Sequence, residues 1–363
     1  MKTIGSVKED LNTEKRISIT PETVKKFINL GFSINLEKNY AEHLGFYDDE
    51  YKDIGANIID SKKDVLEKSD IILSVNYPLF DEVKLIKNES IFIGQLDPNT
   101  HKDLISQLLQ KKIKIFSLNL LPRITRAQSM DILSSQANLA GYKAVVESFA
   151  KFERVIPMMM TAAGTVPAAK VLIIGAGVAG LQAIATAKRM GAIVFATDVR
   201  ESSKEQVESL GGKFLMVENS ENLETEGGYA KETSDDFKKK QESLLAETLK
   251  KIDIVICTAL IPGKKAPIIL KDYMIKNMKP GSLIYDLAAA QGGNTEFTEV
   301  DKIVDKNGVK IMGERNILNK LAISASSLYA KNIFSFVSNL YDKENKKINI
   351  NLEDEIILKT LIK

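Results

Sequence analysis

Tryptophan is absent from the 363 residues, and cysteine and histidine nearly so: one Cys, at 257, and two His, at 43 and 101. A single thiol excludes a disulfide within the chain and a thiolate metal site. Two histidines leave little imidazole for acid–base work or metal ligation, and the sequence reads as metal-free. Charge of one sign is also missing: 50 Lys and Arg stand against 48 Asp and Glu, a formal net charge of +2. No basic arm or patch suggests nucleic acid, and the lysines are interleaved with acids as on a solvated surface. No apolar run approaches the ~18 residues of a membrane span, and the start, MKTIGSVKEDLNTEKR, has no apolar signal-peptide stretch. These absences lead us to expect a cytoplasmic protein that is peripheral to a membrane at most.

What is there is an ordinary globular composition, 44% hydrophobic and 27% charged, at a length that suggests two domains. Short apolar runs (TIGSVK, SINLEK, DIILSVN, SIFIGQL, KIKIFSLNL) alternate with amphipathic stretches (PETVKKFINLG, KKDVLEK, NTHKDLISQLLQKK). Runs apolar on both faces read as buried parallel strands, and the alternation predicts a sheet wrapped by helices. Pro21 opens the first helix and Gly31 stops it. After a helix near AGYKAVVESFAKF, a second alternation begins at KVLIIGA and continues through IVFATD, DIVICTAL and SLIYDLA. The apolar helix of residues 321–341 is expected to return to the first domain. The expected fold class is therefore α/β, with two Rossmann-like domains of parallel sheets, the second inserted into the first. The expected boundaries are 1–135 plus 321–363 for one domain and 136–320 for the other. Residues 217–241, polar and acidic with paired glycines, form one anomalous long loop, of a length that is either functional or disordered.

Gly175, Gly177 and Gly180 make a G-x-G-x-x-G that follows a buried strand and opens an amphipathic helix, the context this motif needs. Gly175 suits the tight turn, Gly177 the close approach of a pyrophosphate, and Gly180 the packing of helix on strand. The helix N-terminus presents free N–H groups and partial positive charge to phosphate. Asp198 ends the next strand, where a carboxylate accepts from ribose hydroxyls and repels a 2′-phosphate. This favours NAD(H), with Arg200 two residues on as the contrary signal, since it could accommodate the extra phosphate. The bland alternative is a glycine-rich turn with no ligand.

Dehydrogenation of an alcohol or amine moves a proton as well as a hydride, and needs a positioned His, Lys or carboxylate. Transfer between two nicotinamide rings needs positioning and a dry pocket but no proton donor. The scarcity of histidine leans toward the second.

The segments PRITRAQSMDILSSQANLAGY, GAGVAGLQAIATAKRMGA, ATDVR, KEQVESLGGKF, EGGYAKE, TALIPGKKAP and MKPGS resemble the NAD(H)-binding component, domain I of the alpha subunit, of proton-translocating nicotinamide nucleotide transhydrogenase. The resemblance covers nearly the whole chain, and alanine dehydrogenase is the related family. It implies that Arg123, Gln128, Asp131 and Ser134 approach the nicotinamide and its carboxamide. It implies nucleotide contacts at Gly228, Gln241 and Leu260, in a site that also takes in Ala176, Val178 and Val199 beside the three glycines, Asp198 and Arg200. Residues 217–241 would be a mobile flap whose Tyr229 reaches the adenosine. It further implies a homodimer, a partner subunit holding NADP, and membrane-spanning subunits that couple hydride transfer to proton translocation at the inner face of the cell membrane.

Amino-acid handling in alanine dehydrogenases rests on an Arg, a Lys, a His and an Asp. Here the resemblance retains Arg16 but places Asn76, Asp97 and Ala290 at the other three positions. That departure sets a soluble NAD-dependent amino-acid dehydrogenase second, and a nucleotide-sensing module without catalysis third. Within residues 120–145, Thr125-x-x-Gln128 also fits a helix capping box. Gln128, Asp131, Ser135, Asn138 and Tyr142 are spaced to share a helix face, which by itself reads as a solvated face. Gln128 could cap, line the nicotinamide site, or do both. Lys264 and Lys265 read as solvated.

Overall fold

The computed structural model describes residues 2–216, 235–261, 263–342 and 344–363. Gly228, Tyr229 and the expected loop as far as residue 234 lie outside the described residues. The chain divides into two compact units, Met1–Gln136 with Leu321–Lys363, and residues 137–320.

In the first unit β1 (Thr3–Ser6), β2 (Ser33–Glu37), β3 (Asn57–Ile59), β4 (Ile71–Leu73), β5 (Ile91–Gly94) and β6 (Lys114–Ser117) form one parallel sheet. The strand order is β3-β2-β1-β4-β5-β6, the doubly wound order whose direction reverses between β1 and β4. Helices Pro21–Asn29, Asp48–Ile54, Lys62–Lys68 and Lys102–Gln110 connect the strands. The first begins where Pro21 needs no N–H partner, and the Thr20 amide bonds Thr23 Oγ1 at 2.9 Å. It ends at Gly31, whose φ of +93° costs no Cβ clash. Ile4, Ile34, Leu36, Leu73 and Ile93 on one face pack with Tyr329, Ile333, Phe336 and Val337 of helix Ala322–Leu340. The late segment thus belongs to the first core, and the opposite face buries Ile72, Phe92, Leu108 and Ile115.

The second unit starts with an exposed antiparallel pair, β7 (Met159–Thr161) and β8 (Gly164–Val166). Its sheet is built from β9 (Lys170–Ile174), β10 (Ile193–Thr197), β11 (Lys213–Phe214), β12 (Ile254–Cys257), β13 (Leu283–Asp286), β14 (Lys302–Lys306) and β15 (Val309–Gly313). The order is β11-β10-β9-β12-β13-β15-β14, parallel except for the terminal β14–β15 hairpin. Both faces are apolar: Val171, Ile173 and Ile256 point one way, Leu172, Ile174 and Val255 the other. The α/β class with parallel sheets holds for both units. No helix among the described residues is long and apolar enough to cross a membrane, and no cluster of His, Cys, Asp and Glu among them could hold a metal ion.

The segment from Glu14 to Ile19 has no strand to hold it. The buried Tyr40 hydroxyl does so, accepting from the Ser18 amide at 3.0 Å and the Ile19 amide at 3.2 Å. Removing it leaves two buried donors without that acceptor, at about 1–3 kcal/mol for a buried group so stranded. Tyr40→Phe should therefore lower the urea midpoint by a loss of about 2 kcal/mol with the slope unchanged, measured by circular dichroism.

Candidate functional site

In the second unit the direction of strand addition reverses between β9 and β12, and open α/β sheets bind ligands beyond the strand ends at such a point. The glycine turn leaves β9 there. Gly175 has φ +95°. A Cβ on Gly180 would lie 1.9 Å from the Gly175 carbonyl oxygen, so helix Val178–Arg189 can start this close only without a side chain. A Cβ on Gly177 would meet nothing within 4 Å. Gly180 is glycine because of its neighbours inside the protein; Gly177 faces space. The first amides of the helix have no intrahelical partner, so the turn offers donors and room together, which is what a pyrophosphate requires. Ala176 is buried, Val178 exposed and Val199 half-buried around it.

Thr258, just beyond β12, donates its hydroxyl to the carbonyls of Ile174 and Gly175 at 3.1 and 3.0 Å. It holds the turn closed from the neighbouring strand. No motif marks it; it directly follows the apolar run of β12.

Asp198 is committed on both oxygens. Its Oδ2 accepts from the Ala176 amide at 2.6 Å and from Arg200 Nη2 at 2.9 Å, and its Oδ1 accepts from Arg200 N and Nε at 2.9 Å. Burial raises the Asp198 carboxyl, but the Arg200 side chain and the Ala176 amide outweigh it, and it lies below the ordinary 3.8. Arg200 is thus turned onto the carboxylate, an arrangement the sequence left open. Gln241 is half-buried on helix Asp235–Leu249, and Leu260 is 44% exposed in the loop after β12. That loop is held by Asn294, which accepts from the Ala259 amide at 3.1 Å and donates to the carbonyls of Ala259 and Pro267 at 2.9 Å. Asn294 is in turn held by buried Asp286, whose Oδ2 accepts the Asn294 amide at 2.6 Å. Sequence reasoning missed both. Lys264 and Lys265 are exposed.

In the first unit the Arg123–Ser134 segment departs from the expected capped helix. Thr125–Met130 is a tight 3-10 turn whose N-cap is Ile124, with no side-chain cap bond. The capping box at Thr125 and Gln128 therefore does not form. The α-helix begins later, at Ile132, so Gln128 and Asp131 precede it and share no helical face with Asn138 and Tyr142. Asp131 takes the capping position instead. Its Oδ1 accepts the Ser134 amide at 2.9 Å and its Oδ2 the Ser134 hydroxyl at 2.6 Å, the standard satisfaction of an orphan N–H. Ala127 and Met130 are buried while Arg123 and Gln128 are exposed, so the turn anchors its apolar residues and presents its polar ones. Asp131 and Ser134 are brought together as one hydrogen-bonded pair.

Arg16 belongs to the same unit but to a closed network. It is 4% exposed, Glu14 2%. Nε and Nη2 grip the Glu14 carboxylate at 2.8 and 2.7 Å, and Nη1 donates to Gln95 Oε1 and Gln136 Oε1, each at 3.1 Å. The Tyr329 ring lies against its guanidinium. A bidentate buried pair of this kind is costly to open, and the guanidinium is committed on every edge. Asn76 turns to Glu9, and Asp97 accepts from the amide and side chain of Asn99 at 2.9 and 3.1 Å in a local turn. Ala290 is exposed on a 3-10 turn of the second unit. None of the four presents a free cation or base.

The depressed Asp198 carboxyl has a signed consequence. A group lowered in the folded state adds stability that is complete above its unfolded value of 3.8 and is lost as pH falls through its folded value. Asp198→Asn should destabilise by a constant amount near neutrality, and the gap to wild type should close as pH falls below about 4. Urea unfolding of both proteins along a pH series measures it.

The Alanine dehydrogenase/PNT, N-terminal domain family matches residues 5–140, and the Alanine dehydrogenase/PNT, C-terminal domain family residues 144–363. In Rhodospirillum rubrum the alpha subunit of NAD(P) transhydrogenase comes in more than one piece, and this chain is 48% identical over 366 residues to the first of them, covering 99% of this chain and 95% of that protein. It superimposes on the crystal structure of transhydrogenase from Sinorhizobium meliloti with a TM-score of 0.88 at 42% identity, covering 99% of this chain and 98% of that one. An alanine dehydrogenase of Methanococcus maripaludis is 29% identical over 339 residues, 90% of this chain and 83% of its own. The chain belongs to the alanine dehydrogenase/PNT family.

Proposed function

We propose that this chain is the NAD(H)-binding component of a proton-translocating, Re/Si-specific transhydrogenase. It passes hydride between NADH and NADP+ held on a partner subunit, and membrane-spanning partners couple the transfer to proton movement. It works as a homodimer at the inner face of the cell membrane, docked through those partners. The observation that carries the reading is the glycine turn, where Gly180 is filled by the protein and Gly177 is left open.

Gly177 and the first amides of helix Val178–Arg189 would hold the pyrophosphate, with Asp198 at the adenosine ribose. Val178, Val199, Gln241 and Leu260 would line the nucleotide, as would Gly228 and Tyr229. NADH, when bound, supplies the hydride. Arg123, Gln128, Asp131 and Ser134 set the nicotinamide end. Ser134 already donates to Asp131, so the pair keeps lone pairs to accept from a carboxamide NH2, while Gln128 and Arg123 offer donors to its oxygen. None of these groups has to move a proton, as befits transfer between two rings. Hydride transfer depends on distance and angle, and an error of ~1 Å can cost on the order of 100-fold in rate.

The second reading is an amino-acid dehydrogenase, for which the family's alanine dehydrogenases speak. The closed Arg16 network and the loss of a cation at Asn76 speak against it.

Two glycines separate binding from folding. Gly177→Ala should melt like wild type but bind NADH about tenfold more weakly or worse, ~1.4 kcal/mol. Gly180→Ala should lose about 2 kcal/mol of stability or more through overpacking. Fluorescence titration and thermal melts give both, and equal NADH affinity in wild type and Gly177→Ala would defeat the cradle.

Reconstituted with an NADP(H)-binding partner, Gln128→Ala and Asp131→Asn should slow single-turnover hydride transfer on the order of 100-fold, with NADH affinity little changed. The isolated chain should not oxidise NADH with pyruvate and ammonia. Robust oxidation there would install the amino-acid dehydrogenase in place of this reading.

A further inference from the structure

The Arg123–Ser134 segment is not held by regular secondary structure along most of its length. A 3-10 turn with no side-chain cap occupies its middle, and the α-helix begins only at Ile132. Short 3-10 turns have poor intrinsic stability, so whatever fixes the polar residues on this one must come from outside it.

One buried amide does so from both sides of the turn's end. Asn332, 8% exposed on helix Ala322–Leu340, donates Nδ2 to the Ser129 carbonyl at 2.8 Å. Its Oδ1 accepts the Ser135 hydroxyl at 2.7 Å. Ser129 precedes the Asp131–Ser134 pair and Ser135 follows it, so a single side chain spans the bend that contains both. Next to this clamp, the Gln136 amide donates to the Ala325 carbonyl of the same helix at 3.2 Å. On the outer side, Arg126 grips Asp354 at 2.8 and 2.6 Å, but it is an exposed pair of the kind that contributes little.

We infer that Asn332 is a positioning residue for hydride transfer. It fixes the bend that carries Gln128, Asp131 and Ser134 while touching none of their side chains. The inference rests on the proposed role of those residues at the nicotinamide end. An amide suits the task because its donor and acceptor ends are fixed at opposite edges of one plane. Losing both bonds strands the Ser129 carbonyl and frees the turn to shift, and a shift changes the rate of transfer before it changes the affinity for dinucleotide.

Asn332→Leu keeps the side-chain shape and removes both bonds; Asn332→Ala removes them with less bulk, should the first fail to fold. Thr360→Ala, which loses a buried hydroxyl bonded to the Ile356 carbonyl elsewhere in the unit, controls for stability alone. Each is assembled with the NADP(H)-binding partner and read by single-turnover transfer, NADH titration and thermal melting. The expected result is transfer slowed at least about tenfold in the Asn332 variants with NADH affinity within about twofold, and transfer at the wild-type rate in Thr360→Ala. Transfer at the wild-type rate in a folded Asn332 variant overturns the inference if Gln128→Ala is slow in the same assay. So does a loss of rate that Thr360→Ala reproduces at an equal drop in melting temperature. If Gln128→Ala also transfers at the wild-type rate, it is the nicotinamide role of the segment that fails.

Discussion

A parallel sheet sends every strand end of one kind to the same edge, and there its backbone carbonyls run out of ladder partners. Much of the polar chemistry in this chain answers that constraint. At the end of β4 the Leu73 carbonyl accepts from the hydroxyls of Ser6 and Ser18 at 2.7 and 2.9 Å, and the Ser74 carbonyl from Tyr329 at 2.8 Å. At the end of β9 the carbonyls of Ile174 and Gly175 accept from Thr258. Near β5, Ser117 caps the Leu96 carbonyl. Small hydroxyls satisfy the edge without filling it, so the backbone of the glycine turn stays within reach of a ligand.

The two arginine–carboxylate pairs make opposite use of one interaction. Arg16 and Glu14 are sealed, and the remaining edge of the guanidinium is occupied by two glutamines. Asp198 and Arg200 lie at the mouth of the glycine turn, with the arginine side chain 17% exposed. A sealed pair fixes a loop. A pair at a binding edge can exchange one partner for another, because the charge-assisted bonds of the carboxylate are similar in kind whether a guanidinium or a ribose hydroxyl makes them.

What could be read from the sequence was what repeats or is local. Strands buried on both faces show as unbroken apolar runs, so β1, β9, β12 and β13 were visible. The glycine turn was visible because its spacing and its flanking strand and helix occur together. The three-residue β3, with Asn57 exposed, and the β14–β15 hairpin, half polar, gave no such run. The capping box at Thr125 misled because serine, threonine and glutamine satisfy that pattern in any polar turn. The burial of Ala127 and Met130 draws the chain into a 3-10 turn and hands the cap to Asp131. Arg16 with Gln136, Thr258 with Gly175, and Asn332 with Ser129 are contacts between residues 83 to 203 apart, and a single sequence carries no local trace of such pairs.

Helix Ala322–Leu340 supplies Tyr329, Ile333, Phe336 and Val337 to the core of a sheet whose strands all lie before residue 118. During synthesis that sheet emerges with one face uncovered and keeps it so until the whole of the second unit has been made. The second unit, continuous from residue 137 to 320, lacks nothing and can close first. The order of completion is therefore the reverse of the order of translation, inner unit before outer, and the long wait exposes Ile4, Ile34 and Leu73 to whatever apolar surface is near. Chains of this plan need protection at their beginning rather than at their end.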